Sequence, residues 1–394
     1  MWAVHECDGA VVQALLHAGA NVDQAWPDGK TVLMSAAFFG HTAMVQALLR
    51  AGARIDFAGP NGMTALMWSA RNGHTVAAQK LLQAGAKVGQ ATAEGMTALM
   101  CAAREGHTAT LQALLDAGAQ VDQADTSGAT AFMWAAQNGH GTWYARNDTT
   151  PVRALLKAGA RIDHARTDGM TALMLAAQRG DTATLRTLLD AGARVDQARA
   201  DGTTALIWAA QKGHTVTVQA LLDAGANVGQ AGPDGVTALM CATGKGKSLT
   251  LQALLRAGAK VDQARPDGLT ALMYAARVGD TSCLQALLQA GADVNQARPG
   301  GTTALIYAAQ YSQTAILQAL LDAGAKVDQA KADGITALMW AAQNGHAAIL
   351  KILLDAGADP GPRAGNGQTA LSLAVKGKHD EVVDLLRAAG ADID

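Results

Sequence analysis

Aromatic residues are scarce in this 394-residue chain, with Phe, Trp and Tyr together contributing only 4%. Hydrophobic residues still reach 49%. The excess is Ala and Leu, which points to closely packed helices. Neither sign of charge dominates, with 31 Lys and Arg against 33 Asp and Glu. So balanced a chain lacks the basic footprint of a nucleic-acid protein. Cysteine is also rare. Cys7, Cys101, Cys241 and Cys283 form no Cys-x-x-Cys pair and no dense framework, so a reducing compartment is the default. No apolar run approaches membrane-spanning length. The beginning of the chain carries His5, Glu6 and Asp8 where a signal peptide would need an apolar core. The expectation is a soluble chain, cytoplasmic or otherwise intracellular, with no nucleic-acid and no membrane partner.

Glycine, by contrast, is abundant and regularly spaced. The Gly before each Thr-Ala-Leu-type segment falls at 29, 62, 95, 128, 169, 202, 235, 268, 301, 334 and 367, so that nine of ten spacings are 33 residues and one is 41. Ala-Gly-Ala triplets keep the same period, with glycines from Gly19 to Gly390. The chain therefore opens inside a repeat, a partial one over 1–27. Eleven further repeats start near 28, 61, 94, 127, 168, 201, 234, 267, 300, 333 and 366. Such an array needs no single central core, so the length is read as one domain over 1–394.

Each repeat reads as helix, turn, helix and loop. In the stretch DGMTALMLAAQRGDTATLRTLLDAGARVDQARA, Asp168 to Ala200, Thr171 predicts an N-cap and Gly180 a left-handed stop after about two turns. Thr182 reads as the cap of the second helix, and Gly192 as its end. The following residues are extended and turn back at Asp201 and Gly202. Two short helices cannot bury their apolar faces alone, so neighbouring pairs must stack.

With the period, the "DGxTALMxAAxxGH" first half and the "LLxAGAxVDQA" second half, the chain resembles the ankyrin-repeat family over essentially its whole length. The resemblance implies an all-α solenoid of stacked helix-turn-helix repeats with extended, β-hairpin-like loops. It also implies a protein-binding role, with the first helices lining a concave face. One departure is consistent. The family's "TPLH" reads "TALM" here, as at Thr171 to Met174, which replaces a proline and a hydrogen-bonding histidine by Ala and Met. The packing between repeats is thereby expected to become apolar.

Within the helix from Thr204 to Lys212, Leu206, Ala209 and Ala210 share one face, and Trp208, Gln211 and Lys212 another. The Trp208 position down the array holds Ser35, Trp68, Cys101, Trp134, Leu175, Trp208, Cys241, Tyr274, Tyr307, Trp340 and Leu373. Its rings are read either as filling between repeats or as partner anchors, since Trp and Tyr dominate binding hot spots. Phe38 and Phe39 stand where other repeats are mostly polar and should face outward beside Trp68. The loop tips Arg166, Arg199, Arg265, Arg298 and Lys331 are followed two residues later, in four of these five repeats, by Asp168, Asp201, Asp267 and Asp333. That pattern is read as a self-neutralised edge.

The one long spacing comes from an insertion at 141–148, between the two helices of a repeat. It carries Trp143, Tyr144 and Arg146, residue types enriched at hot spots. Insertions in repeat proteins map to loops, often on a binding face. The partner-binding candidates are therefore Phe38, Phe39, Trp68, Trp134, Trp143, Tyr144, Arg146, Trp208, Tyr274, Tyr307 and Trp340.

Other motifs carry no chemistry. The string GKGKS from Gly244 to Ser248 has Cys241 where a phosphate loop needs glycine, and it follows a helix instead of a strand. The turn histidines His41, His74, His107, His140, His214 and His346 lie a whole repeat or more apart without companion ligands, so they read as turn stabilisers. No catalytic constellation is legible, and neither cofactor nor metal is expected. At the far end, His379, Asp380, Glu381, Asp384 and Arg387 make the repeat polar, as a capping repeat must be. Trp2, Val4 and Val11 leave the front uncapped, so self-association through that end is a further expectation. The tetrad from Gln310 to Gln313 lacks the usual turn glycine and should fray. The expected function is a non-enzymatic scaffold for a protein partner. The alternative is a regulatory or targeting module cut from a larger effector or enzyme.

Overall fold

The computed structural model describes residues 9–138 and 148–391. It divides into two compact units, Met1–Ala200 and Asp201–Asp394. Both are built the same way. Among the described residues there are 23 helices, each of seven to nine residues, and no strand longer than an isolated bridge. Five such bridges, as between Ala165 and Thr171, pinch the loops into the expected hairpin-like form.

The first helix of every full repeat starts on a threonine. The Oγ1 of Thr31, Thr64, Thr97, Thr130, Thr171, Thr204, Thr237, Thr270, Thr303, Thr336 and Thr369 accepts from the backbone N–H three residues on. This satisfies one of the donors that a helix start leaves orphaned. Gly180 ends its helix at φ 74°, and its N–H closes onto the carbonyls of Ala176 and Ala177. The second helix begins differently from expectation. Thr182 is its first helical residue, and Asp181 is the cap, accepting from Thr184 N at 3.0 Å. Where His takes that place, as at His107, no side-chain cap bond forms. The imidazole is engaged with the preceding repeat instead.

Burial follows the sequence pattern. Leu206, Ala209 and Ala210 are sealed, and the methionines that replace the family's histidine, such as Met67, Met100 and Met273, are equally buried. In the second helices the pairs Leu111 and Leu114, and Leu284 and Leu287, face this core. Truncating one such Leu to Ala costs about 2–5 kcal/mol.

Polar bonds add register. Within Met1–Ala200, the Asp163 carboxylate receives both the backbone N–H of Arg194 (2.9 Å) and its Nε (3.1 Å). Asp23 with Arg54 and Asp122 with Arg161 repeat the pattern. In Asp201–Asp394 the Asp262 carboxylate takes the N–H of Asp293 at 2.9 Å. Next to Asp23, Asp122 and Asp262 lies a glutamine, such as Gln263, whose amide donates to Gly229 O at 3.2 Å, and next to Asp163 lies His164, whose Nε2 bonds Gly128 O at 3.0 Å. The "VDQ" of the repeat is thus a ladder joining consecutive loops, a role that the sequence reading left as plain extended chain.

Candidate functional site

The stripe at the Trp208 position sits on the first helices and is more enclosed than a row of free anchors. Trp68 and Tyr307 are buried, whereas Trp134, Trp208, Tyr274 and Trp340 are half-buried. For four of the six rings a partner lies nine residues earlier, at the loop tip that leads into the helix. Trp134 Nε1 donates to Asp125 Oδ2 at 3.0 Å. Arg265 Nη1 donates to the Tyr274 hydroxyl at 3.1 Å, and Arg298 Nη1 to that of Tyr307 at 2.7 Å. Lys331 Nζ lies 5.5 Å from the centroid of the Trp340 ring. The tip side chains thus fold down onto the stripe and hold its rings in place. The indole N–H groups of Trp68, Trp208 and Trp340 are enclosed without an acceptor in the protein.

Phe38 and Phe39 differ. They are 36% and 43% exposed, among the few large apolar side chains on the surface. They meet edge to face at 4.9 Å, and Phe38 meets Trp68 at 5.3 Å in the same manner. Phe39 stacks on His41 at 5.7 Å. The Lys30 ammonium and the Arg71 guanidinium each lie 5.6 Å from the Trp68 ring. The expectation that these phenylalanines face outward beside Trp68 holds. What they present is a small apolar ridge beside two cations, of which Lys30 is already paired with Asp28 at 3.0 Å.

The charged tips neutralise one another. Arg166 lies 3.6 Å from Asp168, Arg265 3.5 Å from Asp267, and Lys331 3.0 Å from Asp333. Arg298 instead reaches back to Asp267 of the preceding repeat at 3.1 Å.

Trp143, Tyr144, Arg146 and His140 lie outside the described residues. The chain beyond them resumes the repeat. Asp148 accepts from Thr150 N at 2.8 Å, and the helix Thr150–Lys157 has its proline in the first turn.

The remaining reactive residue types are silenced by their surroundings. Burial raises the Cys101 and Cys241 thiols to about 11 and that of Cys283 to about 12, so the thiolate nucleophile is all but absent near neutrality. Among the described residues no three of His, Cys, Asp and Glu converge as a metal site requires. No helix among them is long and apolar enough to cross a membrane. The GKGKS stretch is an ordinary inter-helix turn. The helix Ala238–Gly244 precedes it and Ser248–Arg256 follows. Lys247 lies over Gly213, where other repeats place a histidine.

Comparison with known proteins gives one consistent answer. A family model described as "Ankyrin repeats (3 copies)" matches residues 1–92, 77–144, 142–231, 192–265, 239–331 and 327–394, which together span the chain. A search of curated proteins found no match. Among solved structures, the crystal structure of the human ASB11 ankyrin repeat domain is similar, with 28% identity and a TM-score of 0.51. The alignment covers 55% of this chain and 98% of that one.

Proposed function

The chain belongs to the ankyrin-repeat family, and from that premise we propose that it is a non-enzymatic scaffold, a single repeat domain over 1–394. It binds a protein partner through the first-helix stripe, which the family's geometry makes its concave face, and through the 141–148 loop. Ankyrin repeats are in general protein–protein interaction modules. The observation that carries the reading here is the Phe38–Phe39 ridge. Two adjacent phenylalanines are each more than a third exposed, and Phe38 stands against Trp68, whose ring has Lys30 and Arg71 beside it. Apolar rings at the surface with a cationic rim are the composition of a partner hot spot. The stripe rings beyond this cluster supply shape and rigidity more than free area. Affinity then comes from a few anchors on a preformed surface, which keeps the ordering cost of binding low.

Affinity capture by the intact chain tests this. Replacing Phe38 and Phe39 by Ala should remove captured partners while leaving the unfolding midpoint nearly unchanged. Capture that is indifferent both to this pair and to alanine at Trp143, Tyr144 and Arg146 would sink the proposal.

A further inference from the structure

The tips of successive loops in Asp201–Asp394 carry Arg265, Arg298 and Lys331, and then Ala364. Arg298 shows what a tip arginine does. Its Nη2 bonds Asp267 Oδ2 of the preceding repeat at 3.1 Å, its Nε bonds the Asp267 carbonyl at 3.0 Å, and its Nη1 bonds the Tyr307 hydroxyl. One guanidinium thereby fills the space between two repeats.

Two repeats further along, that guanidinium is missing. Ala364 stands for Arg298, and Leu373 stands for Tyr307. A cleft of about 600 Å3 opens there, lined among others by Lys331, Asp333, Trp340, Ala364, Leu373 and Lys376. Asp333 holds the place of Asp267. Its side chain is 55% exposed against 39% for Asp267, the difference expected when no arginine covers it. Gly365 N has taken the Asp333 carbonyl at 2.8 Å, so the acceptor left to share is the carboxylate, which already receives Lys331 Nζ at 3.0 Å and Ile335 N at 3.2 Å. The Trp340 ring forms a further wall that a planar cation can meet.

From this internal template we infer that the cleft is a binding site for the guanidinium of a partner's arginine, with Asp333 as its counter-ion. The inference rests on the reading above that the first-helix stripe meets a protein partner, and it supplies one element of that partner's chemistry. Lys331 does not bar the site. Its ammonium holds Asp333 Oδ2 at 3.0 Å, the oxygen that Arg298 takes on Asp267, whereas Arg265 stands off on Oδ1 at 3.5 Å, so an incoming guanidinium must share Oδ2 with Lys331. A carboxylate has room for several donors. Lys376 is different, because the equivalent residue beside Arg298 is the neutral Gln310. Lys376 therefore opposes the incoming cation, and its removal should tighten binding.

The test uses a single amino acid, so that its failure leaves partner capture standing. N-acetylarginine amide is titrated into the full chain while the indole N–H signal of Trp340, identified with a Trp340→Phe variant, is followed by NMR. A saturable millimolar shift is expected, weakened about fivefold in Asp333→Asn, strengthened in Lys376→Gln, and absent in Ala364→Arg, where the chain supplies its own guanidinium. The neutral isostere N-acetylcitrulline amide should not bind. Equal shifts from the citrulline probe, or binding that persists in Ala364→Arg, would overturn the inference. Preference for N-acetylglutamate amide would also overturn it, by making the two lysines the recognition element.

Discussion

The ring of His107 closes over Gly73 so tightly that a Cβ on that glycine would stand 2.6 Å from Nδ1. Its Nε2 meanwhile donates to the Arg71 carbonyl at 3.1 Å. His74 does the same over Gly40, and His379 over Gly345. The turn histidine is therefore a clasp between repeats, and the turn glycine is the gap it needs.

Gly73 and Gly52 separate the two demands on such a glycine. Both have left-handed backbones, φ 75° and 87°, but nothing lies within 4 Å of a Cβ on Gly52. Gly52→Ala should cost about 1–2 kcal/mol from backbone strain alone. Gly73→Ala should cost more, because the clasp must also shift. Urea unfolding of the two variants measures the difference, and equal losses would show that the imidazole yields freely.

Acid should loosen the clasps. Burial pushes His41 and His107 below the ordinary 6.5. At both, the charge of His74 acts in the same direction, while at His107 the bond to the Arg71 carbonyl and the charge of Glu105 pull back. A folded-state pKa that is depressed means that, as pH falls through 6.5, the unfolded chain binds protons that the folded one refuses. This stability is therefore present above that pH and is lost below it. The urea midpoint of Met1–Ala200 should fall between about pH 7 and about pH 5. His107→Gln should flatten the fall, since Gln313 already serves over Gly279 without a titrating ring.

Much of this architecture was legible beforehand. Thr171, Gly180 and Gly192 fix where helices begin and end through local chemistry that needs no knowledge of the rest of the chain. Thr182 misled for the opposite reason. Whether a cap bond forms there depends on the residue before it, and at His107 that residue is committed to a neighbouring repeat. The burial of Trp68 and Tyr307 was one of two readings that the sequence left open. Helical spacing assigns a residue to a face, but the tip that covers Tyr307 is Arg298, placed there by a loop whose course the period does not give. The cleft beside Trp340 was hidden in a substitution, Ala364 for arginine, whose meaning emerges only once Arg298 is seen gripping Asp267.

Ser312 occupies a position that glycine fills elsewhere. It has φ 57° after the helix Ala304–Gln310, whereas the matching Gly279 has φ 84°. A side chain in that region carries strain. Ser312→Gly should therefore stabilise Asp201–Asp394 by about 0.5–1 kcal/mol, part of the relief being returned as chain entropy in the unfolded state. Amide exchange at Tyr311 and Gln313 should slow as well. If exchange there already matches the neighbouring turns, the missing glycine has no dynamic consequence.

The bond network of Arg298 also allows the cleft to be made a second time. Arg298→Ala removes the cation that joins Asp267 to the Tyr307 hydroxyl. Because Arg298 is about a third exposed, the loss should be modest, about 1 kcal/mol. The vacated space should then accept what was removed. Millimolar N-acetylarginine amide is expected to raise the thermal midpoint of Arg298→Ala by more than that of Arg298→Ala combined with Asp267→Asn. The double variant matters because the probe could also stabilise the chain through the natural cleft at Asp333. Only the increment that depends on Asp267 reports on the new one. Tyr307 keeps its hydroxyl in the engineered cleft, where the natural one has Leu373, so the engineered site should bind the probe more tightly. The opposite order of affinities would mean that Trp340, and not the acceptor set, decides how well the guanidinium is held.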